Sequence, residues 1–188
     1  MPAIVRPVGD ERDALVAYLE HERHVLVVAS HGLTDAQARL TPTASALSIA
    51  GLLTHMTTTE RTWAATIAGL PPRDADDRSA SGRDDEALAD VVSAYRAATL
   101  ATDAAVGAVD DLDRVVPVPA GTRWAPRDLE GWSVRWILLH LVHETARHAG
   151  HADIIRESID GATALPLMAA VEQWAPRRTI RPWTPASS

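Results

Sequence analysis

Four histidines and a glutamate lie within twelve positions of one segment, HLVHETARHAGH, at residues 140–151. Imidazole nitrogens and carboxylate oxygens are protein ligands of Zn²⁺ and related divalent ions. The chain contains no cysteine, so a thiolate ligand, a disulfide and a protein thiol nucleophile are all excluded. The chemistry that these residue types favour is therefore metal binding by histidine and carboxylate.

The spacing of these residues predicts one shared helix face. Residues three or four apart stack on the same side of an α-helix, and His140, Glu144 and His148 are each four apart. His151 follows His148 by three positions, whereas His143 is rotated from this line by about 60° or more. Spacing alone leaves His140, His148 and His151 open as the metal-binding partner of Glu144.

A third ligand from another helix would complete the protein part of a catalytic zinc site, which keeps one coordination position open. His55, at the inner edge of a second predicted helix, is the candidate. The alternative interpretation is that these histidines are hydrogen-bonded residues at the core boundary. A single HxxxExxxH series is less diagnostic than the HExxH motif of zinc proteases, so spacing leaves both interpretations open.

Helical periodicity predicts the elements that must position these residues. Four long helices are expected, from Asp10 to about Ser30, from Ser45 to about Gly69, from about Glu86 to Val109, and from Ser133 to about Asp160. Ser45 and Ser133 are the predicted N-terminal caps of the second and the last of them. We find no convincing strand signal. The expected fold is all-α, a four-helix bundle with long connecting loops over residues 1–161, and a short C-terminal extension at 162–188 that packs on it.

Composition excludes several classes of partner. With 18 basic and 25 acidic residues, the formal net charge is −7, which argues against broad binding to nucleic acid or to an anionic membrane. No stretch approaches the roughly 18 apolar residues of a membrane span, and no signal-peptide pattern is found, so we expect a cytoplasmic protein. Lysine and asparagine are absent and every basic residue is arginine, which indicates a GC-rich source.

Two segments resemble a known family. SALSIAGLLTHMTTTERTW at 45–63 and SVRWILLHLVHETARHAGHADIIRESIDG at 133–161 resemble the DinB-like superfamily of four-helix-bundle metalloproteins. The resemblance spans about residues 11–161. It is strongest to the actinobacterial branch of mycothiol-dependent S-transferases and the N-terminal domain of mycothiol-dependent maleylpyruvate isomerase. The second domain of that isomerase has no counterpart in these 188 residues, so the transferase is the expected activity.

The resemblance implies a particular ligand set. In that branch, a histidine of the second helix and a glutamate and a histidine of the last helix hold a divalent ion. The matching positions here are His55, Glu144 and His148. The ion expected first is Zn²⁺, with Ni²⁺, Fe²⁺ or Mn²⁺ as alternatives, and His140 and His151 are expected to support the ligands or line the substrate pocket.

The resemblance also implies the reaction and the partners. A low-molecular-weight thiol, mycothiol, would be activated as a thiolate for attack on a small electrophile in detoxification or secondary metabolism, because a divalent ion favours the deprotonated sulfur. The alternative is a non-catalytic metal-binding or stress-response protein. Arg147 and Trp124 are candidates for the substrate pocket, with Arg135 or Arg156 as further candidates to bind a carboxylate. The alternative for each arginine is an ion pair with a nearby acid such as Glu60 or Asp153. Many DinB-like proteins are homodimers, so that assembly is expected as well.

Overall fold

The computed structural model of the protein describes residues 4–70, 86–118, 122, 125–126 and 128–185. The elements are α1 (Glu11–Val28), α2 (Asp35–Ala38), α3 (Ile49–Ala68), α4 (Leu88–Gly107), β1 (Val115–Pro117), β2 (Gly131–Ser133), α5 (Val134–Asp160) and α6 (Ala164–Val171). The predicted all-α bundle is confirmed, with α1, α3, α4 and α5 as its four long helices. Within the described ranges, no helix is long and apolar enough to span a membrane.

The four long helices form two parallel pairs that run in opposite directions. At one end of the bundle, Leu26 near the end of α1 and Ile155 near the end of α5 share a buried cluster with Ile49 and Leu88, which begin α3 and α4. At the other end, a second cluster joins the last turns of α3 and α4 to the first turns of α5. Helix α3 is therefore antiparallel to α5, which decides which of their residues meet.

Helix boundaries follow from capping residues. As predicted, Ser133 caps α5, and Gly161 ends that helix at a φ of 75°, a conformation that favours glycine. The predicted cap of α3 is wrong by one turn: the helix starts after Ser48, whose hydroxyl accepts a hydrogen bond from the backbone N–H of Gly51 at 3.1 Å. Ser45 lies in the preceding bend, because a cap must stand next to the first helical residue.

A short antiparallel pair of strands corrects the expectation that the chain has none. Strands β1 and β2 pair with Val116 opposite Trp132. Each has only three residues, fewer than the roughly four to eight over which alternation can be recognised in a sequence. A Cβ at position 131 would collide with the carbonyl oxygen of Val116, so this pairing requires the glycine found there. The pair delivers Trp132 into the core directly before α5.

The C-terminal segment contacts α1 and α5. Helix α6 shares a buried cluster with α1 that includes Val28, Leu167 and Met168. Farther along, the backbone N–H of Trp183 donates to the carbonyl of Pro166 at 2.8 Å. The indole of Trp183 lies 4.8 Å from the Arg156 guanidinium, a cation–π contact that joins the segment to α5.

A buried ion pair connects three helices at mid-bundle. Arg23 of α1 donates two hydrogen bonds of 2.7 Å to the carboxylate of Glu60 on α3, which is fully buried. Arg23 donates a further bond of 2.7 Å to Asp103, and the hydroxyl of Thr102 donates to Glu60 at 2.6 Å. Removing one partner from such a pair leaves a buried charge without compensation.

We therefore predict that Glu60→Ala lowers the free energy of unfolding by about 3–5 kcal/mol, because Arg23 stays buried and loses its bidentate partner. Urea unfolding followed by circular dichroism measures the change. The matched control is Arg6→Ala, which removes an ion pair to Asp13 at the exposed surface and should leave the midpoint almost unchanged. Equal effects of the two variants would contradict this account.

The free energy of unfolding should change with pH in part because of Asp153, a residue of α5. Burial, and then the charges of Glu157 and Glu22, raise the pKa of Asp153 to about 6 from its ordinary 3.8. A pKa raised by folding means that ionisation opposes the folded state, and this penalty is absent below the lower value and complete above the higher one.

Asp153→Asn is therefore expected to stabilise the protein by about 1 kcal/mol at about pH 8 and by nothing measurable at about pH 4. The gain at about pH 8 is smaller than the pKa shift alone would give, because the side chain is partly exposed to solvent. Urea titrations at both pH values test this. The control is Asp110→Asn at an exposed position. A gain for Asp153→Asn that is the same at both pH values would refute the ionisation argument.

Candidate metal centre

His55 of α3 faces Glu144 and His148 of α5. The Nε2 atom of His55 lies 3.9 Å from Oε1 of Glu144, and Nε2 of His148 lies 3.5 Å from the same oxygen. One ligand atom from each of the three side chains falls within 4.8 Å of the others. A tetrahedral ion with bonds of about 2.0–2.2 Å holds its ligand atoms roughly 3.5 Å apart, so these three side chains fit one divalent ion.

The rotation of the two helices about their axes is set by the core. The residue that follows each ligand in the chain is almost completely buried: Met56, Thr145 and Ala149. With these neighbours inside, helical geometry turns each ligand to the inner edge of its helix. Glu144 and His148 share a face because they are one turn apart, and the antiparallel packing of α3 brings His55 opposite them.

The three side chains lie at the boundary between core and solvent. The exposed fractions are 42% for His55, 25% for Glu144 and 14% for His148. Burial, and then the proximity of His55, lower the pKa of the His148 imidazole. A neutral imidazole presents the lone pair that a metal requires, so His148 is ready to bind an ion at neutral pH.

His151 contacts the side of His148 that lies away from Glu144. Their Nδ1 atoms are 3.4 Å apart, while Nε2 of His148 is the atom near the carboxylate. A metal-binding histidine ordinarily uses its second ring nitrogen in a hydrogen bond that fixes the ring orientation. The geometry therefore suits His151 to hold His148 in place, and its supporting role stays a prediction.

His140 lies on the same face as Glu144 but among aromatic rings. Its imidazole is parallel to the indole of Trp136, with 5.0 Å between centroids and 6° between planes, and Trp63 meets it edge-on at 5.3 Å. Burial lowers the pKa of His140, and the carboxylate of Glu144 opposes that shift. Of the partners that spacing left open for Glu144, the tertiary structure places His148, and neither His140 nor His151, in the three-residue group.

Two of the candidate arginines are engaged elsewhere. Arg135 donates to Glu11 at 3.0 Å and to Asp113 at 2.6 Å. Arg156 is completely buried and donates two bonds of 3.0 Å to Asp160, besides two bonds to backbone carbonyls. Both side chains are thereby held in ion pairs, which is the ordinary structural role of an arginine with a nearby acid.

The remaining predicted pocket residues are Arg147 and Trp124. Arg147 is exposed on α5, directly before His148, and its place in a substrate pocket stays a prediction. Trp124 lies outside the described residues. The four-residue spacing that relates Glu144 and His148 continues upstream through His140 to Trp136. That spacing was the available signal of the aromatic contact with His140.

Among known proteins, a family model and a solved structure match this chain. A family model described as mycothiol-S-transferase matches residues 14–161. The crystal structure of a conserved protein from Enterococcus faecalis matches with a TM-score of 0.65 and 13% identity, over 82% of this chain and 100% of that one. At that identity the likeness shows the fold alone. No curated protein matches this chain.

We predict that His55→Ala weakens binding of Zn²⁺ by more than the roughly 10- to 100-fold that loss of an outer-shell partner costs, because it removes a direct ligand. The helices should remain, since His55 is partly exposed and its neighbours form the core. Equilibrium dialysis with metal analysis and far-UV circular dichroism measure the two effects.

The matched control for this change is His143→Ala, at an exposed position of α5 adjacent to Glu144 in sequence. It should keep a full equivalent of metal. If His55→Ala also retains stoichiometric Zn²⁺, the ligand assignment is wrong.

Proposed function

The chain belongs to the mycothiol S-transferase family, a DinB-like family, and from that membership we propose that it is a metal-dependent transferase joining a small thiol to an electrophile. One observation carries the proposal: His55, Glu144 and His148 converge in a chain that has no cysteine. A sulfur nucleophile must therefore arrive with a cosubstrate. Mycothiol is the thiol that the family description indicates.

His55, Glu144 and His148 would hold the ion, with Zn²⁺ first and Ni²⁺, Fe²⁺ or Mn²⁺ as alternatives. Two imidazoles and one carboxylate are a donor set found in catalytic zinc sites that keep a position for substrate. When bound, the ion would lower the pKa of a thiol and favour its thiolate at neutral pH. The carboxylate of Glu144 supplies the one negative charge among these three ligands.

The protein side chains around the ligands would perform the positioning. His151, with its Nδ1 atom 3.4 Å from that of His148, would fix the ring so that Nε2 stays directed at the carboxylate. His55 is 42% exposed, which leaves the ligand group accessible to a cosubstrate from solvent. Arg147, beside His148 in the chain, would offer an exposed cation to an anionic group of the substrate.

The transfer forms a bond between the thiol sulfur and an electrophilic carbon. The thiol proton passes to solvent. In a substitution, the displaced electron pair departs with the leaving group. In an addition, the anion formed on the electrophile takes up a proton. We place this reaction in the cytoplasm of an actinobacterium, where it would detoxify reactive small molecules. We further propose that the protein assembles as a homodimer. The net charge of −7 argues against a nucleic-acid partner, whose phosphates are also negative.

The decisive test is a thiol titration of the Co²⁺-substituted protein. We expect mycothiol to produce a saturable thiolate-to-cobalt absorption band, because a sulfur ligand changes the visible and near-UV spectrum of the ion. Bacillithiol and glutathione are titrated in parallel as alternative thiols. The band should be absent from Glu144→Ala, which loses a ligand.

The matched control is again His143→Ala, which should give the band of the unmodified protein. A protein that holds cobalt stoichiometrically but shows no band with any of the three thiols would refute the transferase proposal. That result would favour a metal-binding protein whose ion serves stability.

A further inference from the structure

A cleft with a volume of about 310 Å³ opens between α1 and α4, and residues of these two helices line it. The helices run antiparallel, and they are joined where Arg23 of α1 donates to Asp103 of α4 at 2.7 Å. Volumes of roughly 300–1,000 Å³ are ordinary for sites that bind small molecules. The cleft therefore offers room for a small ligand.

The cleft is separate from the ligand group formed by His55, Glu144 and His148. Glu60, whose carboxylate holds Arg23 in the cleft wall, follows His55 by five residues on α3. Five residues turn an α-helix by about 500°, which leaves the two side chains about 140° apart. The cleft and the ligand group thus lie on different sides of α3, and a molecule in the cleft does not need the metal.

One end of the cleft carries an excess of negative charge. Glu20 and Asp103 both line this end, and both are exposed. The guanidinium of Arg23 is already bound by the buried carboxylate of Glu60 and by one oxygen of Asp103. Three carboxylates therefore surround one guanidinium, so this end attracts a further cation.

The other end carries two hydrogen-bond donors that have no acceptor. Arg96 precedes Asp103 by seven residues, which is two turns along the same face of α4. Its guanidinium makes no hydrogen bond or ion pair with the residues that the structure describes. Tyr95 also lines the cleft and is only 1% exposed. Within the same described ranges, its buried hydroxyl has no hydrogen-bond partner.

These two donors indicate what the second end would bind. A buried hydroxyl without a partner costs free energy, and native structures nearly always satisfy such a group with protein, water or a ligand. Tyr95 and Arg96 are adjacent in α4 and line one cleft, so a single acceptor group can reach both. A carboxylate has two oxygens and accepts from both donors at once.

Between its charged ends the cleft presents apolar surface. Leu100 stands between them on α4, and 68% of its surface is exposed, while Val27 lines the wall formed by α1. The two polar side chains of this stretch are engaged elsewhere. The hydroxyl of Thr99 donates to a backbone carbonyl of α4 at 2.9 Å, and Nε2 of His24 lies 2.8 Å from the carboxylate of Glu172. Methylene groups fit this stretch, because they bury apolar surface and need no partner.

The separation of the two ends sets the length of the ligand. Arg96 and Asp103 are seven residues apart, which is about 10.5 Å along the axis of α4. Charge-assisted hydrogen bonds of about 2.8 Å at each end leave roughly 5 Å between the charged groups of a ligand. An amine nitrogen and a carboxylate carbon joined through about three methylenes are roughly 5 Å apart, since each bond advances about 1.25 Å.

We propose that this cleft binds a linear ω-amino acid with about three methylenes between its amine and its carboxylate. The ammonium lies between Glu20 and Asp103, the methylenes lie against Leu100, and the carboxylate accepts from Arg96 and Tyr95. The site is independent of the proposed transferase function, because it uses no metal and no residue of the ligand group.

The test is isothermal titration calorimetry on the full chain, first freed of metal with a chelator and then loaded with Zn²⁺. The probe is 4-aminobutanoate, and its matched analogues are butanoate, which lacks the amine, and 1-aminobutane, which lacks the carboxylate. We expect each analogue to bind at least about tenfold more weakly than the probe, because each loses one charge-assisted contact. Zn²⁺ should leave the affinity for the probe unchanged.

Two variants examine the end that binds the carboxylate. Arg96→Gln should lower the affinity for 4-aminobutanoate to about that of 1-aminobutane and leave binding of 1-aminobutane itself unchanged. Tyr95→Phe removes only the hydroxyl without a partner, so it should weaken binding of the probe by about fivefold or more and leave the urea midpoint of the unliganded protein undiminished. A purely structural hydroxyl would give the opposite pattern, a lower midpoint with unchanged affinity.

Matched controls come from the same residue types outside the cleft. Arg61→Gln changes an exposed arginine of α3, and Tyr18→Phe changes a tyrosine of α1 that is 50% exposed. Both variants should bind 4-aminobutanoate as the unmodified protein does. Far-UV circular dichroism should be the same for all four variants.

Four results would overturn the proposal: no measurable binding of 4-aminobutanoate, equal affinity for the probe and its analogues, an unchanged affinity of Arg96→Gln, or binding that requires Zn²⁺. The last result would assign the probe to the ligand group. The cobalt titration with thiols has no part in these outcomes, so the ω-amino acid site and the transferase function can fail separately.

Discussion

The packing of α3 against α5 is the constraint on which the rest of the site depends. Each ligand is followed in the chain by an almost completely buried residue, so the apolar core sets the rotation of both helices. His55 is thereby directed at Glu144 and His148: the Nε2 atoms of His55 and His148 lie 3.9 and 3.5 Å from the same carboxylate oxygen of Glu144. A slip of one turn between the helices would separate them by about 5.4 Å and destroy the site.

The same packing divides the face between α3 and α5 into regions of different chemistry. At its centre are two imidazoles and a carboxylate, and on one side of them the aromatic rings of Trp63 and Trp136. Because the chain has no cysteine, the proposed reaction takes its sulfur from a bound thiol, and the protein would contribute the ligands and their orientation. Family membership agrees with this division of roles.

Two groups of polar and aromatic contacts connect the helices away from this face. The buried Arg23–Glu60 pair joins α1 to α3, with Asp103 and Thr102 of α4 completing its hydrogen bonds. Trp183 of the C-terminal segment contacts His31, just beyond the end of α1, and Arg156 of α5. Ion pairs and rings at these places anchor the bundle, while the ligand group keeps 14–42% of its side-chain surface accessible.

The sequence by itself determined the four long helices, the cap at Ser133 and the metal-capable residue types, because periodicity, capping and ligand chemistry are local properties. It did not reveal the three-residue strands, which are too short for periodicity, or the cap at Ser48. Spacing could not choose the partner of Glu144, because His140 and His148 are related to it by the same spacing, and His148 was implied only by the family resemblance. The tertiary structure alone supplies the physical reason: α3 packs antiparallel to α5, so that His55 meets His148 while Trp63 meets His140.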